Sequence, residues 1–477
     1  MDAPHRGFAP ELCDQIIDYL WDDRSALAAC ALTCRAWLPR ARFHTFCCVK
    51  VGGPVEFMRF SRLLDASPSV ASFVRRIVVV SRTKLDWWPK STPTRVDREW
   101  PLLVRNLPKV EDLELVKLSI DALSNEAVKL LPGLLSIVRI LRLESCTGWT
   151  RVDLPRFLSS ALRMNELHLL DVSWQPSIHF DYRTPNGAIS PKSATGSSMP
   201  AEGARIEALK VTLYDRKVGA WILTGPFTLQ ISQLFVGLSP GEERIPRELQ
   251  MFLLRAGETL RHLVLSYGSH TRPFDMSESV PTVAASTESL SIAHNPRLES
   301  LHFAFVEPGC TYTHLLGFLR GAADTIRGIP VDAHRALCRL RISVWAHLVL
   351  APAVPDPEHC GGWTHIDRAL EAFIRNRPDA RVTISILNPD AFSIGFRNGG
   401  EMFNSLEDVV KRLLQRLPKF QAQDRGYLTL VLGDRWGRDG QFGGGIVDKT
   451  YERSWRLPIT AGVTSHSDTV HRELVLV

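Results

Sequence analysis

Cys30, Cys34, His44, Cys47 and Cys48 are the side chains of this sequence best suited by type and spacing to hold a metal. A structural zinc needs four thiolate or imidazole ligands in tetrahedral reach, with pairs two to four residues apart. Cys30 and Cys34 stand at i and i+4, on one helical face, and fit that spacing loosely. Both also fall in an apolar stripe, where small buried thiols are ordinary core residues. Packing is preferred over zinc, and no metal ligand is assigned.

Enzyme chemistry fares no better. Gly440-Gln441-Phe442-Gly443-Gly444-Gly445 is glycine-rich, but no Lys-Ser/Thr follows it and no strand–helix context cradles a phosphate. A flexible loop is the better reading. Gly-x-Ser-x-Gly, His-Glu-x-x-His and the kinase signatures are missing. The expectation is a non-enzyme, with no catalytic residue and no cofactor. Trp87-Trp88 and the Trp363 region could anchor a partner or plug a loop, and remain open between the two.

The elements that must position any function begin at the front. Leu12, Ile16 and Leu20 recur every four residues and stack on one helical face. Asp22 and Asp23 stand where a second helix wants its N-cap, and Ala26, Leu27, Cys30, Ala31 and Cys34 form the next apolar stripe. Two helices in so short a segment cannot make a stable domain of ordinary size. They need something beside them, which makes the segment a docking module or, alternatively, a helical hairpin capping the body of the chain.

Pro10-Glu11-Leu12, Ile16-Ile17, Tyr19-Leu20, Ala28-Ala29-Cys30 and Cys34-Arg35-Ala36-Trp37 fall in the order of a known motif. The segment resembles the F-box, the small helical motif that binds the Skp-family adaptor of cullin–RING ubiquitin ligases. Phe8 and Ala9 depart from the leucine and proline usual there. The resemblance implies an adaptor-binding motif over 8–48, with Phe8, Pro10, Leu12, Ile16, Ile17, Leu20, Leu27, Leu32 and Trp37 as adaptor-side residues, some of them core rather than contact. It further implies a cullin reached through the adaptor.

Further along, one pattern keeps returning: apolar, two variable, apolar, one variable, apolar. It reads Val74-x-x-Ile77-x-Val79, Val110-x-x-Leu113-x-Leu115, Val138-x-x-Leu141-x-Leu143, Met164-x-x-Leu167-x-Leu169 and Ile206-x-x-Leu209-x-Val211. It continues as Ile231-x-x-Leu234-x-Val236, Leu260-x-x-Leu263-x-Leu265, Leu298-x-x-Leu301-x-Phe303 and Leu337-x-x-Leu340-x-Ile342. Each ends in the period-2 alternation of a short strand. Helical stretches are expected between them at 54–64, 121–131, 155–162, 246–260, 315–326, 364–375 and 404–417, and two more strands at 380–387 and 427–432. Strand alternating with helix implies parallel strands and right-handed crossovers.

Steps between the central residues run from 25 to 42, the shortest inside the leucine-rich-repeat range. The expected fold is α/β: a short all-helical F-box, then an irregular leucine-rich-repeat solenoid with a curved parallel sheet over 54–434. Only Cys146 occupies the position where that repeat places Asn or Cys. A doubly wound α/β domain is the alternative. Residues 181–203, rich in Ser, Pro, Gly, Ala and Thr, read as a disordered insertion, and 435–477 as a C-terminal tail.

In such a solenoid the residue between the last two apolar positions faces the concave side. Down the array this row is Val78, Glu114, Arg142, His168, Lys210, Phe235, Val264, His302 and Arg341. From Glu114 onward it is the expected substrate-facing set, with Phe235 and Val264 as an apolar spot and flanking cations suited to an acidic or phosphorylated segment.

Bulk composition narrows the rest. With 477 residues, the chain is too long for one compact core but natural for an array. A formal charge of +6 spread over scattered Lys and Arg gives no case for a nucleic-acid surface. The polar N-terminus is no signal peptide, apolar runs are broken well before membrane length, and the sequence contains no Asn-x-Ser/Thr acceptor. Nine unevenly placed cysteines are unlike a secreted disulfide framework. The expectation is a cytoplasmic or nuclear protein with reduced thiols, no membrane contact, and an unidentified protein substrate.

Overall fold

A computed structural model of the chain describes residues 9–81, 95–149, 154–172, 204–213, 216–225, 227–238, 246–267, 290–305, 312–345, 361–387, 397–398, 401–402, 412–422, 427–433 and 451–456. The expectations for 181–203, for the Trp87-Trp88 pair and for the glycine run at 440–445 lie outside these residues. The chain divides into two compact units, residues 1–206 with 224–228, and residues 207–223 with 229–477. Both are α/β and built on parallel strands.

Three short helices open the first unit: α1 (Pro10–Tyr19), α2 (Arg24–Thr33) and α3 (Leu38–Phe46). Pro10 sits at the start of α1, where its missing N–H costs nothing. Asp23 caps α2 by accepting from the backbone N–H of Ser25 and Ala26, both at 2.9 Å. The third helix was not anticipated. Its Pro39 near the start and bulky interior hid it from a propensity reading, yet its Ala41 closes the small core of Ile17, Leu27 and Cys30. Leu20, Ala31 and Trp37 pack around that core.

A parallel sheet comes next, in the order β1 (Cys48–Gly52), β2 (Arg76–Val80), β3 (Asp112–Val116), β4 (Ile140–Glu144) and β5 (Glu166–Leu170). Between the strands lie α4 (Pro54–Ala66), α5 (Arg95–Val104), α6 (Asn125–Leu135) and α7 (Leu154–Ser159). Gly53, at φ 107°, turns the chain out of β1 into α4 with a backbone angle that a side chain would resist. Strand order follows chain order, so right-handed crossovers carry these helices to one face of the sheet. A doubly wound sheet would reverse its order at a switch point, and this unit does not.

Register makes the two faces explicit. Ile77, Leu113, Leu141 and Leu167 form one row, and Val79, Leu115, Leu143 and Leu169 the next, all buried. Fully burying each such side chain contributes about 1.5–3 kcal/mol. Immediately after β3, β4 and β5 the chain passes through Lys117, Ser145 and Asp171, each left-handed at φ 56°, 52° and 50°. The same turn at the same place in three successive strands is a conformational repeat. Cys146 follows the second of these turns, and its thiol donates to the backbone oxygen of Leu115 at 3.3 Å.

In the second unit the strands again run in chain order: β6 (Arg205–Thr212), whose first two residues belong to the first unit, then β7 (Thr228–Leu238), β8 (His262–Tyr267), β9 (Ser300–Phe305), β10 (Arg339–Trp345) and β11 (Arg381–Leu387). Helices α8 (Arg216–Thr224), α9 (Arg247–Ala256), α10 (Tyr312–Arg327), α11 (Gly361–Asn376) and α12 (Pro418–Gln421) accompany them. Asp367 of α11 caps α12 by accepting from the backbone N–H of Lys419 and Phe420. β12 (Arg397–Asn398) pairs antiparallel with β13 (Glu401–Met402). Beyond β11 the sheet gains β14 (Tyr427–Gly433) in parallel and β15 (Tyr451–Arg456) antiparallel to β14. β15 lies within the expected tail at 435–477, whose structure the sequence left open.

Candidate functional site: an apolar helix stripe and a charged strand ladder

The front module offers two apolar stripes on one helix. Cys13 and Ile17 of α1 are buried, and Leu20 beyond its end packs on the same core. Leu12, Ile16 and Tyr19, at i, i+4 and i+7, point to solvent with 50%, 45% and 85% of their surface exposed. On α2, Leu32 is 88% exposed, and Trp21 in the preceding turn is also exposed. A helix that is apolar beyond its core face has surface left over for a partner.

Measured against the adaptor-side expectation, Pro10, Leu12, Ile16 and Leu32 are exposed and Phe8 lies outside the described residues. Ile17 and Leu27 fall among the core members of that set: both are wholly buried and hold the three helices together. Leu20 and Trp37 are half-buried against the same core. The expected face of Leu12, Ile16 and Leu20 is likewise split, because Leu20 lies past the end of α1 and turns inward. Tyr19 and Trp21 were missed as surface residues, although an aromatic at i+7 from Leu12 was the available signal.

Polar contacts tie α1 to α3. The Asp18 carboxylate accepts from Arg40 Nε at 2.5 Å and Nη2 at 2.6 Å, a side-on fork, and stands 2.7 Å from His44 Nε2. The Arg40 hydrogen bonds, helped by His44, lower the Asp18 pKa to about 2. Cys34 ends α2 in an extended conformation and is exposed, whereas Cys30 is buried. The expected stripe sharing both thiols is thus corrected, since the helix stops at Thr33. Among the described residues, no three His, Cys, Asp or Glu side chains gather as a metal site would require.

On the sheets, the predicted row is a real row. Val78, Glu114, Arg142 and His168 are register partners in the first unit, as are Phe235, Val264, His302 and Arg341 in the second. Its expected exposure is corrected. Glu114, Lys210, Phe235, Val264 and His302 are all buried, and Arg142, His168 and Arg341 are partly so. Parallel sheets tend to be covered on both faces, and period-2 alternation cannot reveal a cover.

Nor are the cations of that row spare. Arg142 pairs with Asp112 and, at 3.2 Å, with Glu166, while Arg76 reaches Glu114 at 2.6 Å and His168 reaches Glu166 at 2.9 Å. Burial pushes the Asp112 pKa up, and the hydrogen bond from His168 pulls that of Glu166 down. In the second unit, Lys210 Nζ lies 4.5 Å over the Phe235 ring. His302 Nε2 stands 2.8 Å from Ser343 Oγ, and Arg341 Nε donates to Ser385 Oγ at 2.8 Å. Burial keeps His302 well below the usual imidazole range and therefore neutral. This ladder stitches strands together, which leaves the acidic-segment groove without its flanking cations.

One cavity of the second unit lies among Leu319, Ile342, Leu370, Ile384, Leu417 and Trp363, and its lining is apolar. Convergent polar groups, which an enzyme pocket needs, do not line it. Among the described residues, no helix is long and apolar enough to cross a membrane. No protein-family model matches the chain, and no curated protein matches it.

Proposed function

We propose that the chain is the substrate-recognition subunit of a cullin–RING (SCF-type) ubiquitin ligase. Its α1–α3 module binds a Skp-family adaptor, and its strand–helix array, an irregular leucine-rich-repeat solenoid, holds a protein substrate. The observation that carries this reading is the exposed Leu12, Ile16 and Tyr19 stripe on a helix whose adjacent stripe already fills its own core. Sequential strand order, the repeated left-handed turn and the Cys146 bridge support the solenoid. Such a receptor contributes no catalytic group. It raises the local concentration of the substrate and orients its lysine in the cytoplasm or nucleus.

Purified adaptor should bind the full chain, and Leu12→Asp with Ile16→Asp should abolish binding while far-UV circular dichroism stays unchanged. Unaltered binding by that double variant rejects the reading.

A second reading makes the helices only a cap on a scaffold. It is favoured by the carbonyl of Cys47, just past α3, which accepts from the backbone N–H of both Arg75 and Arg76 and so ties the module to β2. That reading predicts no adaptor binding and collapse of the body when residues 1–50 are removed.

A further inference from the structure

An apolar stripe docks only if its helix is held at the right rotation. Helix α1 has 10 residues, shorter than the roughly 12–15 at which isolated helices become marginal in water, so its tertiary anchors must hold it. Cys13, Ile17 and Leu20 give it an apolar grip, but such contacts are non-directional and permit a roll. A fork between a carboxylate and a guanidinium is directional.

Successive residues on a helix are about 100° apart. Asp18 therefore flanks the inward stripe on the side away from Leu12, Ile16 and Tyr19. The Asp18–Arg40 fork and the His44 contact thus hold one flank of α1 down while the other flank presents the exposed stripe.

We infer that Asp18 is a positioning residue for the docking surface, setting the rotation of α1 through Arg40 and His44 of α3. This rests on the adaptor reading proposed above. Asp18 itself need not touch the adaptor. Its carboxylate acts through the angle at which Leu12 and Ile16 are offered.

The test titrates purified Skp-family adaptor into the full chain and into Asp18→Asn, Asp18→Glu and Arg40→Gln. Asp18→Asn and Arg40→Gln should each weaken binding about fivefold, the double variant no further, with partial recovery in Asp18→Glu. In the Asp18→Asn background Leu12→Ala should cost less than in the wild type, because a misaimed stripe has less to lose. Binding by Asp18→Asn equal to wild type, or full additivity with Leu12→Ala, overturns the inference while leaving the adaptor reading intact. If the wild type itself does not bind, the adaptor reading fails and amide exchange decides the positioning role. Faster exchange in α1 of Asp18→Asn, with α2 and α3 unchanged, supports it, and unchanged exchange in α1 rejects it.

Discussion

The thiol of Cys146 lies 3.3 Å from the backbone oxygen of Leu115 and donates to it across neighbouring strands. It is fully buried, and burial pushes its pKa up to about 12. A thiol so placed is a packing and bridging group, not a nucleophile, since the thiolate is the reactive form. With a disulfide-exchange reagent at pH 8, the exposed Cys34 should react in the native protein and Cys146 only on unfolding. Cys146→Ala should lower stability by about 1–2 kcal/mol in urea titration, from the lost bridge and the lost volume.

Arg142 neutralises Asp112 and Glu166 at once, with only 11% of its side chain exposed. Replacing it by Met removes one partner from each carboxylate, leaving Asp112 with Arg76 at 3.5 Å and Glu166 with His168. Leaving a buried charge without any partner costs about 3–5 kcal/mol, and the remaining partners and partial exposure here place the loss below that range. Asp112 is already raised by burial, and without Arg142 it rises further. A carboxyl raised in the fold binds protons there before it does in the unfolded chain, so the variant should regain stability as pH falls from neutral towards about 4. Denaturant midpoints at pH 7 and pH 5 would show this recovery or its absence.

Ser145 carries a side chain at φ 52°, and its buried hydroxyl finds no partner among the described residues. Ser145→Gly removes both penalties and should stabilise the chain by about 0.5–1 kcal/mol, whereas Ser145→Val should destabilise it by more than that. Thermal midpoints of the two variants should move in opposite directions.

Acid should loosen the front module below about pH 4. The Asp18 pKa is about 2 in the fold, below its ordinary value of 3.8. Its contribution is full above about pH 4 and is lost as pH falls towards 2. Both partners are more than a third exposed, which limits the effect to about 1 kcal/mol or less. Trp37, packed on the module core, should report the change by fluorescence, and Asp18→Asn should flatten that titration.

The nine recurring apolar triplets from Val74 to Ile342 all became strands, β2 to β10, because period-2 alternation flanked by helical stretches has few other outcomes. Other elements were illegible for local reasons. Helix α5 carries Pro101 in its interior, normally a reason to end a helix. Strand β1 is five residues long and abuts α3, and β15 is charged at Glu452, Arg453 and Arg456, as an edge strand tends to be. The docking stripe was half legible. Spacing of three and four identified apolar faces on α1 but could not tell the Ile17 side, which faces Leu27, from the Ile16 side, which faces water. The substrate row failed for a similar reason: alternation tells which residues share a face and is silent on what lies over it.

From β1 to β5, and again from β6 to β11, a strand's neighbour in space is also its neighbour along the chain. Lengthening one connection therefore disturbs no pairing elsewhere, and evolution can add sequence to any single turn without renegotiating the others. That freedom accounts for steps as unequal as 25 and 39 residues within the second unit, and it marks the connecting segments as the parts of this protein best able to diversify while the strands beneath them stay fixed.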